Sequence, residues 1–512
     1  MRVYQQPGKP PGLSLQQAPG GQATVSQALA AAKAALAADA AEIPSLAVLA
    51  KAAGVSPRSL QRHFAAVLGR SPQAVLQHLR LAAARQTLCS GKVSVVLDAA
   101  LQHGFEHPGR FAIAYARAFG EAPSATLRAA RTPASAVVGP SGTPILLQPL
   151  RPATLAEAAW ARRANDDLAI ALGRMRDLVL LSPDAPLAEA GRAFRLEGRV
   201  EGRTVILSLV QAARGRIIAT QREELATQAG VTWANRAART VAASVRDERV
   251  EEARRTPRHR MDAETLVLRA RPAMLSQDPG LTRTALDLLG EVLHRDPWHA
   301  RAHALTGFGQ AVAANHCFGG DPATRRERAL GHMTRALALA ADDPEVLTLA
   351  AGVMSFTDRL GEAEQLATQS LALDPDQPEA LRRLGILRIF RGDAQGAGAI
   401  FRRLLKGWPS GNDGNMALIQ IGIADFALGR YSRSARVLSH AIDQQPFRIW
   451  PHRFLAAAAW HAGAYQEARR SLAALQSAFP DLTVDQCDRA DALHPDAKAR
   501  VLDGLARVGL PH

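Results

Sequence analysis

The chain has 512 residues, of which 47% are hydrophobic and only 5% aromatic, and it carries a formal net charge of +15. This length implies about three domains, and an alanine-rich, aromatic-poor composition favours close-packed helices over sheets. Cys89, Cys317 and Cys487 are far apart and form no paired motif. That argues against a disulfide scaffold or a zinc site and for reduced thiols. The opening MRVYQQPGKPPGLSL lacks the apolar core of a leader peptide, and no run of about 18 apolar residues occurs, so a cytoplasmic protein with no membrane partner is expected.

The charge is uneven. Residues 1–135 hold 14 Lys and Arg against 5 Asp and Glu, a balance of +9, while the other 377 residues carry +6. A positive field concentrated in a quarter of the chain suits a polyanion, with DNA ahead of a membrane or an acidic protein.

In chain order, residues 1–22 are rich in Gln, Pro and Gly without hydrophobic period and read as a disordered arm. Val25–Asp39 is an alanine-rich helix expected to pack beneath the helices of the stretch 45–90. In that stretch, Ser45 caps a helix with Leu46, Leu49 and Ala50 on its apolar face, and Gly54 ends it. Ser56-Pro57 and Ser71-Pro72 each supply an N-cap followed by proline at the first helical position. Two helices joined by a short glycine-containing turn make a helix-turn-helix. At about 100° per residue, Leu60, Phe64 and Val67 fall on one side of the middle helix, and Arg58, Gln61, Arg62 and Ala65 on the other. A groove-reading helix needs this split: an anchoring apolar side and long donors facing outward, Arg for guanine and Gln for adenine.

The third helix runs from Pro72 to about Cys89 and is about 27 Å long. The pattern then returns, with a short helix ending at His103-Gly104 and a second starting near Pro108, whose core side carries Phe111, Tyr115 and Phe119. Two such units can place reading helices in successive major grooves about 34 Å apart, so a homodimer is allowed but not required.

From about Val25 to Arg131 the residues resemble the DNA-binding domain of AraC/XylS-type bacterial transcription regulators. The first unit carries Leu49-Ala50, Ala53-Gly54-Val55-Ser56, Leu60-Gln61-Arg62-His63-Phe64, Leu68-Gly69-Arg70-Ser71-Pro72 and Arg80-Leu81-x-x-Ala84-Arg85. The second carries Asp98-x-Ala100, Gly104-Phe105, Phe111, Arg117, Phe119-Gly120 and Pro123. The resemblance implies that Arg58, Gln61 and Arg62 occupy base-reading positions, with Ser59, Arg70, Arg80, Arg110 and Arg117 as backbone or secondary contacts. The second unit departs from the family. Pro108 and Gly109 stand where polar side chains usually begin the reading helix, and Ile113 where an arginine often points to the groove. Most sequence readout is therefore expected from the first unit, while Ile113 either faces the groove or packs against a neighbouring domain or subunit. The domain lies near the N-terminus, whereas familiar regulators of this type carry it at the C-terminus, so any sensing element is expected downstream.

Residues 132–143 form a Pro/Gly/Ser linker. Between 144 and 250 the pattern gives a strand at Ile145–Pro149, a helix at Leu155–Gly173, and strands at Leu178–Leu181, Ala193–Val200, Thr204–Gln211 and Arg216–Gln221. A helix over about Leu225–Val245 completes a compact α/β domain. Asp167-Leu168-x-x-x-Leu172-x-Arg174 and Phe194-Arg195-Leu196-Glu197-Gly198-Arg199-Val200 resemble the TolB-like domain found before repeat arrays, with the segment between Ser182 and Phe194 shortened.

From 260 to 512 helix follows helix with Asp-Pro breaks. Pro344 to Pro378, Pro375 to Pro409 and Pro446 to Pro480 are each 34 residues apart, as are the turns at Gly429-Arg-Tyr431 and Gly463-Ala-Tyr465. This is the period of tetratricopeptide repeats, and Leu360–Gly385 resembles their consensus. Asp296-Pro297 and Asp343-Pro344, 47 apart, indicate an earlier repeat with an insertion around Asn315–Thr324. Such a solenoid binds peptides or partner domains on its concave face.

The expected fold is mainly α and multidomain: a double helix-turn-helix domain (23–131), a small central α/β domain and a C-terminal α-solenoid. No metal site is expected. Gly104 and Pro108 break the helix that would align His103 with His107, and His294, His299 and His303 lack completing ligands and read as repeat-surface residues. Walker, nucleophile-elbow and dinucleotide motifs do not occur. The reading is therefore non-enzymatic, with no catalytic residues and no cofactor: a sequence-specific transcription regulator that binds double-stranded DNA, its downstream domains sensing a signal or recruiting a protein partner. The alternatives are a repeat-based scaffold with a degenerate DNA-binding domain, and a regulator gated by a small molecule held in residues 144–250.

Overall fold

The computed structural model describes residues 21–37, 45–89, 93–119, 121–131, 142–175, 178–181, 193–224, 230–258, 261–276, 278–316, 319–375, 377–408, 411–490 and 493–512. The N-terminal arm, most of the 132–143 linker, the shortened 182–192 segment and Cys317 lie outside them. The described residues divide into two compact units, one of 30–61 with 70–268 and the other of 269–512 with 21–29 and 62–69.

Seven helices come first: α1 (Gln22–Ala37), α2 (Leu46–Ala52), α3 (Pro57–Leu68), α4 (Pro72–Cys89), α5 (Val96–Gln102), α6 (Pro108–Phe119) and α7 (Pro123–Arg131). Each cap expected around the first turn forms. Ser45 Oγ accepts from Val48 N at 3.3 Å, Ser56 Oγ from Ser59 N at 3.1 Å and Ser71 Oγ from Ala74 N at 3.3 Å. Gly54 and Gly104 turn the chain at φ +66 and +75, a left-handed conformation that a side chain would strain.

The central domain holds β1 (Thr143–Leu147), β2 (Arg151–Pro152), α8 (Ala158–Gly173), β3 (Leu178–Leu181), β4 (Phe194–Glu201), β5 (Thr204–Gln211), β6 (Arg216–Glu224) and α9 (Gly230–Arg255). The strand order is β3-β1-β4-β5-β6, with β2 also paired to β4. β1 runs parallel to β3 and β4, and β4-β5-β6 is an antiparallel meander. Alternation decides the layering: Phe194, Leu196, Val205, Leu207 and Leu209 turn inward and meet Leu168 of α8 and Trp233 of α9 in one core. Three details differ from the sequence reading. The expected helix from Leu155 opens with a single 3-10 turn, and the helix expected over about Leu225–Val245 runs on to Arg255, with 225–229 outside the described residues. The third, β2, was not anticipated because its Arg-Pro pair carries no hydrophobic signal.

The repeat helices follow as α10 (Ala263–Ser276), α11 (Pro279–Arg295), α12 (Ala300–Asn315), α13 (Pro322–Leu339), α14 (Pro344–Phe356), α15 (Leu360–Leu373), α16 (Pro378–Phe390), α17 (Ala394–Gly407), α18 (Gly411–Ala427), α19 (Tyr431–Gln444), α20 (His452–His461), α21 (Tyr465–Ala478), α22 (Val484–Ala490) and α23 (Pro495–Val508). Neighbours pair from α12·α13 to α20·α21. The 34-residue period reappears in coordinates as the starts of α14 and α16, of α15 and α17, and of α19 and α21. The Asp-Pro breaks have a physical cause. Asp278, Asp321 and Asp343 each cap a helix whose first residue is proline, accepting from backbone N–H at 2.8, 2.8 and 2.9 Å. Within pairs, small residues let helices touch: a Cβ on Gly385 would stand 2.4 Å from Phe401 and one on Gly422 2.6 Å from Leu438. The 47-residue spacing arises in part because Pro297 precedes α12 by three residues while Pro344 begins α14. In addition, α12 and the connection after it are each three residues longer than α14 and its connection, and α13 is four residues longer than α15.

Candidate nucleic-acid interface

The first reading helix is set by its buried side. Leu60, Phe64 and Val67 of α3 are at most 7% exposed, while Arg58, Gln61, Arg62 and Ala65, one turn apart along the opposite face, are exposed. Among the described residues the Arg58, Gln61 and Arg62 side chains make no hydrogen bond or ion pair. Donors left uncommitted on one helical stripe have all their capacity available to a ligand. Ser59 is otherwise engaged: its hydroxyl accepts from Ser56 Oγ at 3.0 Å as part of the cap. Arg70, at the turn into α4, is exposed, whereas Arg80 is half-buried in α4 with Nε unpartnered, and burial pulls its pKa below the ordinary guanidinium range.

The second unit has a better-knit interior than its outer face. Tyr115 is fully buried and donates to Thr126 Oγ1 at 2.9 Å, which donates to Glu121 at 2.8 Å. Burial pushes the Tyr115 phenol above its usual range. Arg85 closes the chain by pairing with Glu121 at 3.4 Å and lying over the Phe119 ring at 4.9 Å. Arg85 therefore has a structural role. Nothing in the sequence pattern marked this network, because Glu121 meets Arg85 and Thr126 only in the fold.

On the outer side of α6, Arg110, Ile113 and Arg117 share one exposed stripe. Ile113 is 72% exposed. Val95, Leu97 and Leu101 around α5 are also exposed, because Ala99 and Ala100 take the buried face.

A family model described as a helix-turn-helix domain matches residues 49–129, covering both units. Over 86 residues the chain is 43% identical to the XylDLEGF operon transcriptional activator of Pseudomonas putida, 16% of this chain and 27% of that protein. It is 39% identical over 85 residues to the XylDLEGF operon transcriptional activator 2 of the same organism, 16% of this chain and 54% of that one. Residues 49–129 form an AraC/XylS-type helix-turn-helix domain. The chain spans about a quarter to a half of the length of these curated relatives.

Among solved structures, the chain is similar to the APC/C hetero-tetramer Cut9-Hcn1, with a TM-score of 0.35 and 16% identity over 50% of this chain and 48% of that one. It is also similar to Pseudomonas aeruginosa PilF, with a TM-score of 0.29 and 16% identity over 47% of this chain and 96% of that one. At these values the tetratricopeptide assignment rests on the helix pairs and their 34-residue period.

Two expectations about histidines meet the structure here. Among the described residues no group of three or more His, Cys, Asp or Glu is placed to hold a metal ion. His303 is not a repeat-surface residue: it is 6% exposed and its Nδ1 lies 2.9 Å from His332 Nδ1. Helical spacing put it beside His299 but could not show that α13 covers it. Finally, no described helix is long and apolar enough to cross a membrane.

Proposed function

We propose that this protein is a transcription regulator that selects a DNA site through α3 and positions itself on the duplex through α6, while its repeat solenoid senses a signal or recruits a protein partner. The observation that carries the reading is the α3 face, where Arg58, Gln61 and Arg62 project together, exposed and without hydrogen-bond or ion-pair partners among the described residues. A bidentate contact from any of them is worth about 1–3 kcal/mol of discrimination against the wrong base. Arg70, Arg110 and Arg117 fit phosphate contacts, which hold register without reading sequence. Arg80 fits that role less well because it is half-buried.

The second unit favours a specific alternative. With Pro108, Gly109 and Ile113 in its reading helix, the domain retains backbone affinity but little readout there, as a scaffold with a degenerate DNA-binding domain would. Selection from a randomised duplex library with the full chain separates the two. The regulator enriches one motif, and Arg62→Ala lowers affinity for it by roughly 5- to 150-fold while relaxing preference at one base pair. Binding that is salt-sensitive but motif-free, and equally strong in the variant, would establish the scaffold instead.

A further inference from the structure

The first helices of successive repeats wall a cleft in the solenoid, with residues from the ends of α12 and α14 and from α16, α18 and α20. It opens partly to solvent and, counting that open part, encloses about 530 Å³ of atom-free space. Its apolar walls include Phe356, Ile386, Phe390 and Phe454. Three arginines, Arg382, Arg383 and Arg453, also line it, and no aspartate or glutamate is among the described residues that do.

Arg383 makes the cleft unusual. It is 4% exposed, yet among the described residues its guanidinium meets a hydroxyl, Ser355 Oγ at 3.3 Å, and the faces of Phe308 and Phe356 at 5.9 and 5.3 Å, with no carboxylate hydrogen-bonded to it. Its Nε has no hydrogen-bond partner, and neither do Arg382 Nε and Trp450 Nε1, both also sequestered from solvent. Burial, and then the neighbouring Arg382, lower the Arg383 pKa to about 9, which still leaves it charged near neutrality. A buried cation without an acidic partner is costly, because desolvation is not offset by a counter-charge. Buried N–H donors are rarely left unsatisfied.

One class of ligand answers both the charge and the walls. We propose that this cleft binds a small organic carboxylate with an aromatic or aliphatic body, its anion taken by Arg383 with Arg382 and Trp450 Nε1, its body lying against the aromatic walls. A free small molecule fits better than a peptide, because the donors are recessed and the space is bounded. The corresponding space in the central domain, between Leu196, Leu207 and Val241, offers no cation among the described residues that line it. Regulation by such a ligand rests on the function proposed above, but the binding does not: the solenoid can bind the carboxylate whether or not α3 selects a DNA site.

The test is calorimetric titration of the full chain with 4-phenylbutyrate and octanoate, against their neutral primary amides. Each carboxylate is expected to bind saturably at one site, at least tenfold tighter than its amide. Arg383→Met should weaken the carboxylates at least tenfold and leave the amides unchanged. Where Arg383→Met fails to fold, Trp450→Phe keeps the ring, removes the buried N–H and should weaken the carboxylates several-fold. Equal binding of acid and amide, undiminished carboxylate binding by the folded variants, or no saturable binding of either carboxylate would each overturn the proposal. Motif selection by the unliganded chain is scored separately, so loss of one result is visible without the other.

Discussion

The buried histidine pair makes the solenoid sensitive to acid in a way that can be worked out from its hydrogen bonds. His303 Nε2 lies 3.0 Å from the Pro297 carbonyl, an acceptor only, so Nε2 carries the proton. In the neutral ring Nδ1 is then an acceptor, and His332 Nδ1–H must donate to it across 2.9 Å. A proton added to His303 Nδ1 breaks this arrangement unless His332 moves its own proton to Nε2, and protonating both rings sets two cations face to face. Burial, opposed by the Pro297 bond and reinforced by His332 and Arg335, lowers His303 to about 4, and burial with Arg335 lowers His332 to about 4.

Because both folded-state values lie below the ordinary 6.5, the folded chain prefers the neutral rings. Their contribution is complete above 6.5 and is lost as pH falls from 6.5 toward 4. For His303, the more buried of the two, that drop is worth at most about 3 kcal/mol, and at pH 5 about 2 kcal/mol has gone. His332 adds less, since it is partly exposed and shares a proton with its partner. In a repeat domain of this size, about 2 kcal/mol corresponds to roughly 4–8 °C in Tm. The measurement is the thermal midpoint at pH 7 and pH 5 for the natural chain and for His303→Leu/His332→Leu. Carboxylates, His316 and His452 act in both proteins, so the difference between the two slopes isolates the pair. Identical slopes would refute the assignment of buried neutral rings.

Three further substitutions test other parts of the structure. Ile113→Arg places a charge between Arg110 and Arg117 on a 72% exposed position, so it should tighten DNA binding in a salt-dependent way, steepening the log–log salt slope by about 0.9. Its effect on unfolding free energy should stay within about 0.5 kcal/mol, and a larger loss of stability would show that Ile113 belongs to a packed interface. Gly385→Ala brings a methyl within 2.4 Å of the Phe401 ring and should cost about 1–3 kcal/mol in denaturant unfolding. The same change at Gly331, inside α13 with nothing within 4 Å, should stabilise by roughly 0.5–1 kcal/mol. If both glycine variants shift stability in the same direction, the close approach of α16 and α17 is wrong.

The parts legible in the sequence are those governed by local chemistry. Ser-Pro and Asp-Pro pairs set helix starts because cap and proline act within one turn, and the apolar spacing of Leu60, Phe64 and Val67 oriented α3 without tertiary information. Strands β4 and β5 were legible because one side faces α8 and α9 and the residues alternate accordingly. What escaped depended on a distant partner. His303 looked exposed until α13 covered it, Glu121 gained meaning only beside Arg85 and Thr126, and β2 has two residues and no pattern.

Charge illustrates the same limit and links the two proposed sites. Counting Lys and Arg placed the polyanion-binding face in residues 1–135, and α3 and α6 do present exposed arginines there. The count gave the remaining 377 residues only +6. Yet Arg383, Arg448 and Arg453 are at most 6% exposed. Arg448 is held by Gln445, the Ser276 carbonyl and Asn412, neutral acceptors throughout. A net charge cannot distinguish an arginine that radiates its field into water from one buried in a helical stack. The first attracts a polyanion from many ångströms away, falling off over a Debye length of about 8–10 Å. The second acts only on a ligand that enters and loses its own water, so it selects for shape as well as sign. The exposed arginines of α3 and α6 and the recessed ones of the solenoid cleft thus suit two different anions, a duplex and a small carboxylate.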